Sequence, residues 1–329
     1  MTIAELAELA GVSKTTASFI IGGRAEEFRI SEATRDRVLA LAEQHQFRPN
    51  LNARALRGRR VLTFGLVVPD LTNYGFAVTT RELEKLCRNA GCQLLITCSE
   101  DDVEKEQEVV SALLERQIDG LIVASAMTDD SFYQQLGCPV VQLDRQIGDS
   151  DLPLVMTDSV SITANLVARI GRECSELAYI GGLEALSSER QRYQGYCQGL
   201  LRNSRSPEVT LVSRGDFTRE SGYRQLAELH KRLGRLPGGI FCASFTLLEG
   251  VLRYFKEHQL LTAHCQLSTF DDHELLNCMP FAVDSIEQDC GAMAEGCFQQ
   301  LQCLIEEESY SAVTVLLPGR IHWRSSQVL

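Results

Sequence analysis

The stretch that decides the fold at the start of the chain is IAELAELAGVSKTTASFIIGG, residues 3–23. Apolar side chains recur at helical spacing before Gly11 and again after it, which predicts two short helices joined by a glycine turn. Thr2 and Ser13 stand where N-cap side chains accept the first free amide groups of a helix. A third helix follows and is predicted to end at the FRPN motif, residues 47–50. Two short helices joined by a tight turn and braced by a third make a helix-turn-helix.

The charge distribution separates this helical head from the rest of the chain. The 329 residues carry a net charge of −12. Residues 1–60 hold ten Lys and Arg against seven Asp and Glu, whereas the remainder holds 22 basic and 37 acidic residues. A basic head on an acidic body indicates that the head meets phosphate groups while the body repels them.

From residue 61 onward, apolar strands alternate with amphipathic helices. The predicted strands are VLTFGLVVP (61–69), CQLLITCS (92–99), GLIVAS (120–125), PVVQLD (139–144), LAYIGG (177–182), VTLVS (209–213), GIFCAS (239–244) and QLSTFDD (266–272). Continuous apolar strands with helices between them form parallel sheets that are covered on both faces. The alternation occurs twice, which predicts two Rossmann-like lobes with a ligand crevice at the C-terminal strand ends.

The body is also predicted to contain a short helix in its first lobe and late strands near the end of the chain. A short helix is predicted around residues 132–136, within the first lobe. The late apolar segment TVLLPGRIHWR, residues 314–324, follows a strong helix that begins at Cys290. We expect the strands of this late segment to return to the first lobe.

Composition argues against a membrane or secreted protein. No run of about 18 apolar residues is present that could span a bilayer. The first residues, MTIAELAELAG, lack the basic region and apolar stretch of a signal peptide. We therefore expect a cytoplasmic protein.

No motif points to catalysis, a cofactor or a metal. The chain contains no G-x-S-x-G, no G-x-x-x-x-G-K-[ST] and no H-E-x-x-H. The twelve cysteines are scattered singly and never form C-x-x-C, whereas structural zinc sites bring their ligands in close pairs. We interpret them as reduced, small apolar residues. The prediction is a protein that is not an enzyme and has no cofactor.

Several motifs together resemble the lac-repressor/galactose-repressor family of bacterial transcriptional regulators. In the head they are residues 2–23 and RISEATRDRVLALAEQHQFRPNLNARALR, residues 29–57. In the body they are FGLVVPDLTNYGFAV (64–78), DGLIVAS (119–125), STFDDHEL (268–275) and SIEQD (285–289). The long loop RAEEFRIS, residues 24–31, is similar to that of the subgroup regulating sucrose and fructose use. The resemblance implies a periplasmic-binding-protein-like body behind an all-α head.

The head residues expected to bind DNA are Thr2, Ser13, Lys14, Thr15, Thr16, Ser18 and Arg29. Ser13 also caps the second helix, whose N-terminal residues would enter the major groove. Lys14 can reach guanine acceptors, and threonine hydroxyls and methyls suit phosphates or thymine. Arg29, Arg48 and Asn50 are expected to contact phosphates.

The segment after the head, residues 49–60, is expected to be a hinge that becomes helical on DNA. Ala53 and Leu56 lie three residues apart, on one helical face, and Arg54 stands between them. In the family the corresponding residues enter the minor groove, where the leucine wedges between base steps. Two hinge helices must meet for this to happen, so the resemblance implies a homodimer on a palindromic operator.

The resemblance also implies an effector site in the crevice. The residues carried over by motif are Asn73, Phe76, Asp144, Arg145, Arg190, Arg192, Ser244, Asp271 and Gln288. Carboxylates and guanidiniums bind sugar hydroxyls, and an aromatic such as Phe76 covers an apolar ring face. The arginines would also serve a phosphate, so both fructose and fructose 1-phosphate remain open as the inducer.

The resulting prediction is a sugar-responsive DNA-binding repressor in three parts. These are a helix-turn-helix head (1–48), a hinge (49–60) and an effector-binding and dimerisation body (61–329). Within the body, the N-lobe is expected at about 61–158 plus 290–320 and the C-lobe at about 159–289. The alternative is a sugar-binding protein of the same two-lobed fold without DNA regulation.

Overall fold

The described residues of the head form three helices. They are α1 (Ile3–Leu9), α2 (Lys14–Ile21) and α3 (Glu32–Gln44). The computed structural model describes residues 1–45, 47, 61–260, 264–306 and 313–325, and the head is one compact unit, residues 1–61. Its small core includes the fully buried Leu6 and Val38, so the two predicted helices and the brace pack on one another.

The predicted N-caps of the head helices are confirmed. The Thr2 hydroxyl accepts the amide of Glu5 at 3.3 Å, and the Glu5 carboxylate accepts the amide of Thr2 at 2.7 Å. Ser13 accepts the amide of Thr16 at 3.0 Å. The reciprocal Thr2–Glu5 bonds and the single Ser13 bond satisfy amide groups at the starts of these two helices.

The described residues of the body, which spans residues 62–329, form two six-stranded sheets. The first has the order β11-β5-β4-β3-β1-β2 and is parallel throughout. Its strands are β1 (Thr63–Val68), β2 (Gln93–Cys98), β3 (Gly120–Val123), β4 (Val140–Leu143), β5 (Leu154–Thr157) and β11 (Thr314–Leu317). The first lobe is built on this sheet.

The second sheet has an equivalent strand order, β12-β10-β9-β8-β6-β7, but its edge strand β12 is antiparallel to β10. Its strands are β6 (Leu177–Gly181), β7 (Val212–Arg214), β8 (Gly239–Cys242), β9 (Gln266–Phe270), β10 (Val283–Glu287) and β12 (Arg320–His322). Each strand of one lobe has a counterpart in the other, so β4 corresponds to β9. This equivalence places loops from both lobes at matching strand ends.

Helices cover both sheets, as the alternating pattern predicts. Those described in the body are α4 (Tyr74–Asn89), α5 (Val103–Glu115), α6 (Ser159–Glu173), α7 (Ser187–Leu201), α8 (Arg219–Leu233), α9 (Phe245–Glu257) and α10 (Cys290–Glu306). None of the helices in the described ranges is long and apolar enough to cross a membrane.

Glycines let α8 and α9 pack closely in the second lobe. A Cβ at Gly250 would lie 2.0 Å from the Arg219 carbonyl oxygen, and one at Gly222 would lie 2.2 Å from the Leu247 carbonyl oxygen. Any larger residue would push the helices apart, since these neighbours are backbone atoms.

Three of the expectations for the body need correction. The late segment splits between the lobes: β11 joins the first sheet, but β12 pairs antiparallel with β10 in the second. Val209–Leu211 form a 3-10 turn and only Val212–Arg214 a strand, because Val209 lies at the surface with 88% of its area exposed. The helix predicted around 132–136 is a single 3-10 turn, Tyr133–Gln135.

Candidate functional site

In the head, α2 presents a polar N-terminal end to solvent. Lys14 and Thr15 are exposed, whereas Ala17 and Ile20 on the same helix are buried in the head core. Ser13 is occupied as the N-cap and Thr16 bonds its hydroxyl at 2.8 Å. The helix is therefore anchored on one side while its first turn remains open to a partner.

The loop between α2 and α3 is held by a stack that sequence reasoning missed. The rings of Phe19 and Phe28 lie parallel with centroids 3.6 Å apart. The Arg24 guanidinium lies over the Phe28 ring at 4.8 Å and pairs with Glu27 through two bonds of 2.6 and 2.7 Å. Arg29, an expected phosphate contact, is exposed beyond this stack and takes a left-handed backbone with φ of 51°. The only signal in the sequence is the RAEEF loop itself.

Five other residues expected to act on DNA fall in the hinge and just before it. Arg48, Asn50, Ala53, Arg54 and Leu56 lie outside the described residues. Their roles stay predictions.

In the body, a cleft of about 390 Å³ opens at the C-terminal strand ends of both lobes. Eight of the nine residues expected at the effector site line it: Asn73, Phe76, Asp144, Arg145, Arg192, Ser244, Asp271 and Gln288. The topology brings them together because parallel strands end at one edge of each sheet.

Two buried aspartates face this cleft from equivalent positions. Asp144 follows β4 and Asp271 follows β9, and each is 6% exposed. Both take the left-handed backbone, with φ of 62° and 69°, which costs a residue with a Cβ roughly 1 kcal/mol or more. The same unusual turn at matching strand ends aims one carboxylate from each lobe into the cleft.

Arg192 lies between the two lobes. From α7 in the second lobe, its Nη2 lies 3.8 Å from Oδ2 of Asp144 in the first. Its Nη1 donates to the Ala243 carbonyl oxygen at 2.8 Å, and its guanidinium stacks 3.9 Å from the Phe270 ring centroid. The buried Nε has no hydrogen-bond partner among the described residues.

Arg145 is held on the opposite wall. Its Nη1 pairs with the Asp101 carboxylate, and its guanidinium lies 5.7 Å from the Phe76 ring centroid. Its Nε is also buried without a partner in the described part of the chain. The two arginines thus place guanidinium groups beside two carboxylates and an aromatic face of the cleft.

Gln288 links Asp271 to Thr157 at the base of the cleft. Its Nε2 donates to Oδ1 of Asp271 at 2.7 Å, and its Oε1 accepts from the Thr157 hydroxyl at 2.9 Å. Asn73 and Ser244 are the N-caps of α4 and α9, which begin at the cleft. Both residues, expected from sequence as effector contacts, thus accept backbone amides at the starts of these helices.

Burial alters the acid–base behaviour of the cleft. The pKa of Asp271 is raised, chiefly because burial disfavours the charged carboxylate, and the positive charge of Arg192 opposes this rise. Burial also raises the pKa of Cys290 to about 11, so this cleft-lining thiol stays protonated at neutral pH.

Comparison with known proteins identifies the family. A model of bacterial regulatory proteins of the lacI family matches residues 2–50, and a model of periplasmic binding proteins and the sugar binding domain of the LacI family matches residues 61–246. The chain belongs to the lacI family of bacterial regulatory proteins. It is a DNA-binding transcriptional regulator. A sugar-binding protein without DNA regulation, the alternative from sequence, leaves the matched head unexplained.

Individual relatives of this lacI-family chain align over nearly its whole length. The sucrose operon repressor of Klebsiella pneumoniae is 45% identical over 327 residues, which cover 98% of each chain. The fructose operon regulatory protein of Vibrio cholerae is 36% identical, covering 99% of this chain and 100% of the relative. The crystal structure of the Cra transcriptional dual regulator of Pseudomonas putida with fructose 1-phosphate has a TM-score of 0.74 at 30% identity, covering 80% and 98%.

One expected effector residue of this lacI-family protein lies elsewhere. Arg190 does not line the cleft, and its guanidinium donates to the Ala185 carbonyl oxygen. On α7, Arg190 and Arg192 are two residues apart and so point about 200° apart around the helix axis. The helix can direct only one of them into the cleft.

The structure adds cleft residues that motif reasoning missed. Asp101, Asp216 and Phe217 lie in loops without a distinctive sequence pattern. Ser188 and Thr246 lie in the first turns of α7 and α9. Asp101 follows β2, at the same sheet edge as Asp144 after β4. The position after a predicted strand is the only signal that could have found it.

The two lobes of this regulator also touch across the cleft. The backbone N–H of Gln146 in the first lobe donates to the Ser187 hydroxyl of the second at 2.8 Å. The ring centroids of Tyr74 and His273 lie 4.4 Å apart. The His273 ring also stacks on the Phe245 ring, with centroids 4.7 Å apart. These contacts join the lobes around the cavity.

Proposed function

We propose that this regulator represses genes for sucrose or fructose use by binding a palindromic operator as a homodimer. The observation that carries the proposal is the 45% identity to a sucrose operon repressor across both head and body. The exposed first turn of α2 suits the major groove, and two heads related by a two-fold axis would read two half-sites.

We assign the head contacts by chemistry. Lys14 would donate to guanine acceptors, and Thr2, Thr15, Thr16 and Ser18 would contact bases or phosphates. Arg29 would neutralise a phosphate. The hinge contacts of Asn50, Ala53, Arg54 and Leu56 belong to the same proposal, with Leu56 as the minor-groove wedge.

We propose that a sugar in the cleft releases the DNA. Because the cleft is lined by both lobes, a ligand there stabilises their closed arrangement, which shifts the subunit interface and unwinds the hinge. By linkage, the ligand must bind the DNA-free form more tightly, and a coupling of about 1–3 kcal/mol is typical.

The charges around the cleft favour an uncharged inducer. Six carboxylates and two guanidiniums line it: Asp70, Glu100, Asp101, Asp144, Asp216, Asp271, Arg145 and Arg192. Carboxylates accept bonds from sugar hydroxyls but repel a phosphate. We therefore propose fructose, with fructose 1-phosphate as the second candidate because the Cra structure holds it.

The proposal includes no catalytic step and no cofactor. The relatives are named as repressors and regulators, and the cleft residues suit reversible binding. A protein that acts on an operator works in the cytoplasm, where bacterial DNA lies.

The test is a mobility-shift titration on the palindrome upstream of the adjoining sugar-uptake genes. Fructose, fructose 1-phosphate and sucrose are added in turn at one fixed salt concentration, since affinity depends on salt. We expect fructose to release the DNA at the lowest concentration. Release by fructose 1-phosphate alone would overturn the choice of an uncharged inducer.

A second outcome separates the two halves of the proposal. Operator binding that none of the three sugars reverses would leave the repressor standing and remove the sucrose and fructose assignment. No specific binding to the palindrome would overturn the operator assignment itself.

A further inference from the structure

The C-terminal segment, residues 320–325, docks on the second lobe beside the cleft. Its strand β12 pairs with β10, opposing His322 to Ser285. The next residue, Trp323, packs on the core of the second lobe and lies under the Arg169 guanidinium at 4.2 Å. The segment is therefore seated by both backbone pairing and side-chain packing.

Buried Asp284 fixes the backbone at the end of this segment. It is 1% exposed and accepts the amides of Arg324 and Ser325 at 2.7 and 2.9 Å. Its second oxygen accepts the Ser325 hydroxyl at 2.6 Å. Because the Arg324 backbone is held in this way, its side chain extends from a rigid base.

The Arg324 side chain bridges three parts of the second lobe. Its Nη2 donates to Asp272 at 2.8 Å, its Nη1 to the Ser285 hydroxyl at 2.7 Å, and its Nε to the Asn277 side-chain oxygen at 2.8 Å. All of its nitrogens thus have a partner, and 11% of the side chain is exposed. Such a multiply bonded, largely buried guanidinium fixes geometry, whereas an exposed ion pair contributes little.

The carboxylate held by Arg324 directly follows the cleft aspartate. Asp271 is in the left-handed backbone region, which persists only where the surroundings impose it. The next carboxylate, Asp272, accepts from Ser285 at 2.5 Å and lies 4.0 Å from Nε2 of His322. The C-terminal segment therefore holds the turn that contains Asp271, through the contacts of Arg324 and His322 with Asp272.

We infer that Arg324 is a positioning residue for the effector site, holding the Asp271–Asp272 turn so that the Asp271 carboxylate faces the sugar. The inference rests on the proposed function, in which Asp271 binds the inducer. Arg324 lies outside the lining of the cleft and acts through Asp272. The C-terminal segment is then part of the sensing machinery.

The test compares Arg324→Ala with a matched arginine of the same lobe. Arg235 pairs with Glu176 through two bonds of 2.6 Å on the exposed surface, so Arg235→Ala removes a charged arginine–carboxylate pair of the same lobe away from the cleft. Binding of fructose and of fructose 1-phosphate is measured by calorimetry on the full chain without DNA, and operator affinity by mobility shift without sugar.

We expect Arg324→Ala to weaken binding of the sugar that the wild type binds by about tenfold, as the loss of charged hydrogen bonds would. Operator affinity without sugar should stay within about twofold of wild type, and Arg235→Ala should match wild type in both assays. Arg324→Lys should recover part of the lost sugar affinity, because it keeps a charge near Asp272.

Asp272→Asn tests the same interaction from the other partner, because it removes the negative charge and keeps the shape of the side chain. It should also weaken sugar binding. The loss of binding free energy in the double variant with Arg324→Ala should be smaller than the sum of the two single losses, since both changes disrupt the same ion pair. Additive losses would show that the two residues act separately and would overturn the inference.

Two further outcomes overturn the inference in distinguishable ways. Unchanged sugar binding in Arg324→Ala, or equal losses in sugar and operator binding together with a lowered melting temperature, would leave only a structural role. A wild-type protein that binds operator but neither sugar would remove the effector assignment and this inference with it, while the DNA-binding function would stand.

Discussion

At the scale of single residues, Asp271 combines burial, a left-handed backbone and a direct bond to Gln288. Its counterpart Asp144 has the same placement in the other lobe, with Arg192 within 3.8 Å. With carboxylates on opposite walls, one ligand that carries several hydroxyls could donate hydrogen bonds to both lobes at once.

Replacing Asp271 with Ala should leave operator binding intact and abolish induction. The head does not contain this residue, whereas the sugar loses an acceptor that is buried and charge-assisted. Mobility shifts with and without fructose would check it. Retained induction would remove Asp271 from the effector site.

The raised pKa of Asp271 predicts a pH dependence of sugar binding. A carboxyl whose pKa is raised begins to take up a proton above the usual aspartate range near pH ~4. Since the protonated form accepts sugar hydroxyls less well, sugar affinity should fall as pH is lowered toward that raised pKa. Calorimetry between neutral and mildly acidic pH would measure the fall.

The control for this pH dependence is Asp271→Asn, which cannot titrate. Its sugar affinity should be weaker at neutral pH and should change less with pH. An identical slope in the variant would assign the pH dependence to a group other than Asp271.

At the scale of elements, helix α2 shows how a short segment acquires a function. It has eight residues, too few for stability alone, so its Ser13 cap and its buried Ala17 and Ile20 hold it on the head. This anchoring leaves Lys14 and Thr15 of its first turn exposed to solvent.

Lys14→Ala should weaken operator binding by about 1–3 kcal/mol, as the loss of a base contact does. Non-specific DNA should be affected far less, because Lys14 would read a base. Lys85→Ala is the matched control: it removes an exposed lysine from α4, where Lys85 pairs with Glu82 at 2.9 Å. Equal losses on operator and random DNA would make Lys14 a phosphate contact.

The strands show where sequence patterns succeed and where they do not. Continuous apolar runs such as residues 61–69 predicted the central strands, because these are buried on both faces. The pattern did not reveal which sheet the late strands would join. β11 and β12 are separated by two residues and enter different lobes, a choice made by backbone pairing with distant strands.

At the scale of the whole body, the cleft depends on how the two lobes meet. The Tyr74 ring of the first lobe contacts His273 of the second, next to residues that line the cavity. An aromatic contact of this kind contributes about 0.5–1.5 kcal/mol. It should therefore favour the arrangement in which the lobes enclose a ligand.

Tyr74→Ala should raise the sugar concentration needed for half release of the operator by about two- to tenfold. Tyr74→Phe keeps the ring and should behave like wild type. Mobility-shift titrations of the three proteins would measure the difference. An unchanged midpoint in Tyr74→Ala would show that this contact does not bias the lobes.

The effector site was predictable to the extent that its residues follow strands. Asp144 and Asp271 each come directly after an apolar strand, and such positions meet at the sheet edge. Arg190 was misplaced because two residues of separation on a helix put side chains on different faces. Asp101 and Phe217 were missed because their loops have no periodic pattern.

The sequence by itself determined the helical head, the alternating body and most of the residues at the strand ends. These features depend on apolar spacing and helix caps, which involve residues only a few positions apart. Tertiary structure decided the rest. The bond between Arg324 and Asp272 joins residues 52 positions apart, and the contact between Tyr74 and His273 joins the two lobes. Such pairings depend on long-range packing, which no local pattern encodes.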